Sequence, residues 1–289
     1  MVCFALNIKL YFMKKIYNYL FILLCTTAVV MNSCNKKNIN LIDENNKWVY
    51  LDPATSANIK IIQVFAGNTP QIPTAPNPTT GPQIFIYANG AKLNGTALNY
   101  GSVFPTSNVY ANVPAGTTRI DVINGRMNLA VVPNVPAFVA GDTLTTFTAT
   151  LDKGKYYTVY IGDTVPSLKV TIKEDLLPVP DYQTYKIRLA NFSMNNNPTD
   201  TLSLFSRRQN AEIISDITHK NVSDWVQLPL PIIADTFDLR KKGTTTSLVA
   251  LTGSFPTVFP IGMRMYTIVA RGKTGVTNKT LTASILTNR

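Results

Sequence analysis

Residues 151–161 read LDKGKYYTVYI, and this stretch indicates a fold built from β-strands. Its Asp-Lys-Gly is a turn signal, and β-branched and aromatic residues follow it from Tyr156 to Ile161. Residues of these types after a turn are typical of a β-strand. We therefore predict a strand ending near Leu151, a tight turn, and a second strand over residues 156–161.

The chain beyond residue 50 continues in the same way, with almost no helical periodicity. Short runs rich in Thr, Val, Ile and Tyr alternate with turns rich in Gly, Pro and Asn. Asn89-Gly90 closes the apolar run 83–87, as expected for a hairpin turn, and Asn124-Gly125 closes the run 118–123. Alternation of apolar and polar residues at a period of two predicts strands with one buried face and one solvent-exposed face. The pattern predicts an all-β protein.

Four strands recur in the same order about 110 to 130 residues later. The paired stretches are 59–65 with 185–192, 84–86 with 201–205, 118–123 with 235–240, and 156–162 with 265–272. This offset is too long for a solenoid repeat, so it indicates a duplicated domain. We predict two tandem immunoglobulin-like β-sandwiches, residues 52–178 and a divergent repeat at 182–289. The proline-rich stretch 176–181 reads as the linker between them.

The first repeat also resembles a known family. It contains IFIYANG at 84–90, VPAGT at 113–117, LDKGKYYTV at 151–159 and EDLLPVP at 174–180. Together these stretches resemble the DUF4397 family of bacterial extracytoplasmic domains across residues 58–178. The resemblance implies tandem immunoglobulin-like sandwiches on lipid-anchored or secreted proteins, and it implies no particular function. The second repeat is less similar, with LPLP at 228–231 in place of VPAG.

The start of the chain resembles a bacterial lipoprotein signal. Lys14 and Lys15 precede an uncharged apolar run at 19–31, and Ser33 places a small residue directly before Cys34. The run is too short to span a membrane comfortably, and the order of its parts is that of a secretory signal. The resemblance implies cleavage before Cys34 and lipidation of its thiol. A plain signal peptide, or an uncleaved apolar helix, remains the alternative.

The predicted processing fixes the N-terminal boundaries. We expect residues 1–33 to form the signal peptide, with Met13 as the true start because the basic region should come first. Residues 34–51 are then the lipidated cysteine and a flexible tether, which anchors the protein to a membrane without spanning it. We expect the cell envelope, with the outer membrane favoured and its face undecided.

Charge and cysteine content narrow the possible chemistry. The formal net charge is +11, and the mature portion has 24 basic against 16 acidic side chains. Such an excess is compatible with anionic lipids or acidic glycans, although the basic residues are scattered. All three cysteines lie at or before position 34, so no disulfide or free thiol is expected in the mature protein.

No catalytic or metal-binding pattern emerges from the sequence. His219 is the sole histidine and reads as a loop residue, which argues against a Ser-His-Asp triad and against zinc or copper sites. Two pairs of carboxylates, Glu174-Asp175 and Asp235 with Asp238, read as solvated strand edges rather than a glycosidase pair. We therefore expect no enzyme activity, no cofactor and no nucleic-acid partner.

The remaining candidates are surface features. Tyr156 and Tyr160 share one strand face and, with Trp225, are candidates for a ligand-binding surface. The proline-rich insertions 67–82 and 127–141 are the first loops expected to bind a partner. Three Asp-Thr-apolar triplets resemble acceptors of Bacteroidetes O-glycosylation, at Thr143, Thr164 and Thr201.

These observations support two functional hypotheses. The first is a lipid-anchored envelope protein with a non-catalytic binding or structural role, whose partners are the membrane and an envelope protein or glycan. The second is a glycan-binding accessory lipoprotein of a polysaccharide-uptake system.

Overall fold

The structure is a computed structural model that describes residues 52, 55–65, 83–106, 108–125, 140–163, 167–194, 201–230, 235–251, 262–272 and 280–289. The predicted signal peptide, Cys34 and the tether lie outside these residues, as do the insertion 67–82 and most of 127–141. Residues from Val49 to Arg289 form one compact unit.

The described residues form strands and no helix, which confirms the all-β prediction. The first half contains β1 (Ser56–Gln63), β2 (Ile84–Ala88), β3 (Ala91–Lys92), β4 (Val103–Phe104), β5 (Ala111–Pro114), β6 (Gly116–Asn124), β7 (Thr143–Leu151), β8 (Tyr156–Gly162) and β9 (Lys169–Glu174). The second half contains β10 (Thr184–Ser193), β11 (Leu202–Ser206), β12 (Ala211–Ile217), β13 (Asn221–Val222), β14 (Val226–Pro229), β15 (Phe237–Lys241), β16 (Ser247–Leu251), β17 (Met265–Gly272) and β18 (Thr282–Thr287). Within this part of the chain, no helix has the length and hydropathy needed to cross a membrane.

The strands form four sheets, and the two halves pair their strands in the same order. Sheet I is β3-β2-β6-β7, and sheet II is β4-β1-β8-β9 with β5 also paired to β1. Sheet III is β13-β10-β17-β18 with β14 also paired to β10, and sheet IV is β12-β11-β15-β16. Each strand therefore has a counterpart nine strands later. The four pairs of recurring sequence stretches occupy equivalent places in this order.

Three hydrophobic clusters show how the sheets stack. The first cluster joins sheets I and II, and the second joins sheets III and IV. The third cluster lies between sheets II and III and takes residues from both halves. The order is therefore I, II, III, IV, with two sandwich-like halves packed face to face. The limits 52–178 and 182–289, and the immunoglobulin-like assignment, remain predictions.

Two predicted turns position these sheets. Asn89 and Gly90 both have positive φ (48° and 81°) and join β2 to β3, the backbone conformation that favours Asn-Gly in a two-residue hairpin. Gly154, with φ 72°, follows Asp152 in the turn between β7 and β8. That turn carries the chain from sheet I to sheet II, so the two flanking strands do not pair with each other.

The inner sheets are buried on both faces. In β8 every residue after Tyr156 is buried, and in β1 Asn58 is the sole residue that is not fully buried. Residues Ile59 and Ile61 face the first cluster, whereas Ile62 faces the third. The expectation of one wet face per strand is therefore wrong for these strands, because sheet III covers the outer face of sheet II.

Candidate functional site

The interface between the halves contains a buried ionic cluster. Arg188 Nη2 donates to Asp175 Oδ1 at 2.5 Å, and both side chains are at most 1% exposed. Asp175 Oδ2 accepts from Thr158 at 2.5 Å and from Tyr110 at 2.7 Å. Arg188 Nε donates to Thr267 at 2.8 Å. Both carboxylate oxygens are thus hydrogen-bonded, which offsets part of the desolvation cost of a buried ion pair.

The cluster is assembled from equivalent positions of the two halves. The equivalent pairs are Lys60 and Arg188, Thr158 and Thr267, Asp175 and Asn288, and Tyr110 and Trp225. Lys60 lies opposite Thr158 in the register of β1 and β8, as Arg188 lies opposite Thr267 in β10 and β17. The acidic or amide residue directly follows β9 or β18, and the aromatic residue directly precedes β5 or β14.

Equivalent residues make equivalent contacts. The cation of each half lies over the aromatic ring of the same half, with Lys60 Nζ 4.6 Å from the Tyr110 centroid and Arg188 Cζ 4.3 Å from the Trp225 centroid. Each cation also contacts the end of the last strand of the other half. Lys60 Nζ donates to the carbonyl of Thr287 in β18 at 2.6 Å, and Arg188 donates to Asp175, the residue after β9. Each half therefore makes the same kind of contact with the other half that it receives from it, as two identical subunits do in an isologous dimer.

Burial dominates the electrostatics of this interface. It lowers the pKa of Lys60 to about 8, an effect that Arg188 reinforces and the charge of Asp175 opposes. Burial and the adjacent Asp175 charge raise the pKa of the Tyr110 hydroxyl well above its ordinary value. Tyr110 therefore stays protonated and remains a donor to Asp175.

The structure separates the three aromatic residues predicted to form a ligand surface. Tyr156 is 39% exposed, but Tyr160 is fully buried and stacks on Phe192 with ring centroids 4.5 Å apart. Including Tyr160 in an exposed surface is therefore wrong, because the second half covers that face. Trp225 is half-buried against Arg188. Tyr156 is the most exposed of these residues, and its ring is in edge contact with Tyr110 at 5.1 Å.

The predicted carboxylate pairs are also placed differently from expectation. Asp175, Asp235 and Asp238 are 3%, 5% and 1% exposed, so solvated strand edges were the wrong interpretation for them. Asp235 accepts from the Ser206 hydroxyl and from the backbone N–H of Arg208, the latter at 3.0 Å. Each buried carboxylate is satisfied by hydrogen bonds, as burial of a charge requires.

The candidate modification sites differ in access. Thr143 is exposed, Thr201 is 9% exposed, and Thr164 lies outside the described residues. Of the two described threonines, the folded protein presents only Thr143 to a modifying enzyme. Modification at Thr143 and Thr164 remains a prediction, as does lipidation of Cys34.

His219 contributes to the second contact between the halves. His219 Nε2 lies 3.3 Å from Asp163 Oδ1, and Lys220 Nζ lies 2.5 Å from Asp163 Oδ2. Asp163 directly follows β8, whereas His219 lies between β12 and β13. Burial alone would raise the pKa of Asp163, but hydrogen bonds from His219 and Lys220 hold that pKa below its ordinary value. The half-buried histidine thus has a structural partner, which the expectation of a loop residue did not include.

A third contact lies beside the groove between β4 and β18, whose volume is about 530 Å³. Arg271 lies over the Tyr100 ring at 4.6 Å from its centroid and donates to Ser284 at 3.0 Å. Gly101 has φ 77°, and a Cβ there would lie 2.5 Å from Arg271 Cζ. The positive φ favours a glycine at this position, and any larger residue would also have to displace the Arg271 guanidinium group.

A polar groove on the outer face of sheet IV is the candidate ligand site. We call it the Arg207 groove; it has a volume of about 510 Å³ and is lined by Phe205, Arg207, Asn210, Asp238, Arg240, Thr245 and Ser247. Phe205 and Asp238 lie opposite each other in β11 and β15, so their side chains share one face. The Arg240 guanidinium carbon lies 3.4 Å from the centroid of the Phe205 ring.

Asp238 anchors the arginines of this groove. Arg207 Nε and Nη2 donate to its carboxylate at 2.9 to 3.1 Å, Arg240 Nη2 donates at 3.1 Å, and Ser247 donates at 3.0 Å. Burial alone would raise the pKa of Asp238, but these hydrogen bonds hold it below its ordinary value. The arrangement fixes two guanidinium groups at a surface, beside hydroxyl and amide side chains.

Sequence reasoning missed both clusters, although a signal existed for the ionic cluster between the halves. Lys60 and Arg188 stand at equivalent positions of the recurring stretches 59–65 and 185–192, which are mainly apolar. A cation buried in such a strand requires a buried partner. Among the described residues, no group of three or more His, Cys, Asp or Glu side chains is placed to hold a metal ion.

The comparisons with known proteins address the family. Residues 75–202 match the model of DUF4397, a domain of unknown function. The predicted resemblance to this family is therefore confirmed for that segment, which is less than half of the chain. The DUF4397 segment runs from the insertion before β2 to the first residue of β11, so its limits differ from the predicted 58–178. No curated protein matches the chain.

Three solved structures show a distant likeness. A candidate adhesin from Bacteroides ovatus is 11% identical, with 80% of this chain and 94% of that chain covered and a TM-score of 0.20. A candidate polysaccharide-binding protein from Bacteroides thetaiotaomicron is 10% identical (80% and 96% covered, TM-score 0.21). The fimbrial anchor protein Mfa2 from Porphyromonas gingivalis is 12% identical (81% and 97% covered, TM-score 0.20). At these TM-scores the likenesses carry no argument about fold or function.

Proposed function

We propose that the chain is a lipid-anchored cell-envelope protein in which two β-sandwich domains, 52–178 and 182–289, serve a non-catalytic binding or structural role. The observation that carries this proposal is the sealed position of the ionic cluster between the two halves. In enzymes, catalytic ionisable groups line a cleft. Here Lys60, Asp175 and Arg188 are at most 3% exposed, and they line neither of the two grooves described above. Their chemistry therefore serves to join the halves.

The anchor rests on the sequence before Cys34. Lys14 and Lys15, the apolar run and the small Ser33 support export and lipidation at Cys34. Cys34→Ala should move the protein from the membrane fraction to the soluble fraction, whereas Cys25→Ala, within the signal, should leave it anchored. If the Cys34→Ala protein stays in the membrane fraction, as the Cys25→Ala control does, lipidation at Cys34 is refuted.

The second candidate is a glycan-binding accessory lipoprotein of a polysaccharide-uptake system. The Arg207 groove favours it, because the groove combines an aromatic ring with amide, hydroxyl and guanidinium groups. Sugars present hydroxyl groups together with apolar ring faces, and such mixed sites suit them. Binding of residues 35–289 to a glycan array distinguishes the candidates: the glycan function requires binding, and a purely structural role predicts none.

A further inference from the structure

We propose that the Arg207 groove binds saccharides that carry a carboxylate, such as uronic acid residues. This inference rests on the proposed glycan-binding function and adds the class of sugar. It follows from how the two arginines are held, how much charge they leave, and which side chains surround them.

The arginines are held in place before any ligand arrives. Asp238 is 1% exposed and receives hydrogen bonds from Arg207, Arg240 and Ser247. A guanidinium that is fixed by a buried carboxylate loses little side-chain entropy on binding. The same principle of preorganisation distinguishes a binding site from a chance pair of surface cations.

The fixed arginines still have donors to offer. Arg207 uses Nε and Nη2 on Asp238, its side chain is 51% exposed, and Nη1 makes no hydrogen bond to a residue that the structure describes. Guanidinium groups bind carboxylates in a planar, bidentate manner.

The groove carries a net positive charge. Its lining contains two arginines and one carboxylate, so it has a formal charge of +1. Glu212 lies opposite Phe205 in β12, so its carboxylate is on the same face of the sheet, next to the residues that line the groove. The mature chain has the same sign, which favours the approach of anionic ligands.

The neutral side chains point to a saccharide rather than a bare anion. Asn210, Thr245 and Ser247 add amide and hydroxyl groups around the arginines, and a single phosphate or carboxylate would leave most of the roughly 510 Å³ groove unfilled. An acidic sugar supplies hydroxyl partners as well as the anion.

The test uses a matched pair of ligands and a matched pair of variants. Residues 35–289, which contain the whole compact unit Val49–Arg289, are titrated with oligogalacturonate and with its methyl ester, which keeps the sugar and removes the charge. Arg207→Gln is compared with Arg119→Gln, because Arg119 makes a similar salt bridge with Asp121 on the outer face of sheet I. Circular dichroism confirms that both variants are folded.

We expect oligogalacturonate to bind and its methyl ester to bind at least about tenfold more weakly. We also expect Arg207→Gln to lower the affinity for oligogalacturonate about tenfold, whereas Arg119→Gln should leave that affinity unchanged. Equal binding of acid and ester, or equal losses in both variants, would overturn the proposal. Binding of neutral glycans without binding of oligogalacturonate would overturn the acidic class while leaving the glycan function intact. Failure to bind any glycan would refute both, and preferential binding to anionic lipid vesicles would assign the groove to a membrane instead.

Discussion

Replacing Asp175 by Asn should strongly destabilise the protein without changing its shape. The substitution removes the negative charge that faces Arg188 and Lys60 in the interface while keeping the side-chain size. Arg188 then remains as a buried cation without a carboxylate partner among the described residues. Removing one partner of a buried ion pair costs about 3 to 5 kcal/mol, roughly a 150- to 5,000-fold change in the ratio of folded to unfolded protein.

The measurement is urea unfolding of residues 35–289, followed by circular dichroism and by tryptophan fluorescence. Trp225 is one of the two tryptophans of the chain and lies over Arg188, so its share of the emission reports on this interface. Asp121→Asn is the control, since Asp121 pairs with the 64% exposed Arg119 and its loss should cost at most about 1 kcal/mol. Asp175→Asn combined with Arg188→Met should be more stable than Asp175→Asn alone. A loss below about 1 kcal/mol for Asp175→Asn would refute the assignment of this cluster as the joint between the halves.

Two further predictions test the interface. The pKa of Lys60 is about 8 in the folded protein, below its value in the unfolded chain, so the folded state binds fewer protons between about pH 8 and 10.5. The stability of the protein relative to Lys60→Met should therefore rise with pH across that window. A stability difference that does not change with pH would contradict the burial of a charged lysine. Gly101→Ala should lower the melting temperature more than Gly90→Ala does. Both glycines have positive φ, but of the two only a Cβ at Gly101 would contact Arg271. Equal decreases in melting temperature would show that Arg271 moves aside without cost.

The strands and their duplication could be predicted from the sequence because both depend on local pattern. The Asn89-Gly90 turn and the alternation in 118–123 need no knowledge of distant residues. The outer faces of β1 and β8 could not be assigned in this way. Alternation identifies two faces of a strand, but only the position of sheet III decides whether the second face is wet.

One sequence signal did point to the covered face. Strands buried on both sides form nearly continuous apolar runs, as residues 59–65 and 156–162 do. A cation within such a buried strand, Lys60 in β1 or Arg188 in β10, then requires a buried partner. Asp175 could not be identified as that partner, because it follows a strand edge where a solvated carboxylate is the ordinary expectation.

The Arg207 groove lay beyond sequence reasoning for a different reason. Arg207, Asp238 and Ser247 come from separate strands and turns, and only the register of β11, β15 and β16 brings them together. Asp235 and Asp238 are a candidate carboxylate pair only because they are close in sequence. In the structure, Asp235 contacts Ser206 and Arg208, whereas Asp238 faces the groove.

The central claim is that the protein binds glycans without cleaving them. The most direct test is to incubate residues 35–289 with a panel of envelope and plant polysaccharides. The retention of each glycan on the protein and the chain length of each glycan are then measured by mass spectrometry. We predict that acidic glycans are retained and that every glycan keeps its original chain length. New chain ends or shortened products in the presence of the protein would contradict the claim and identify an enzyme.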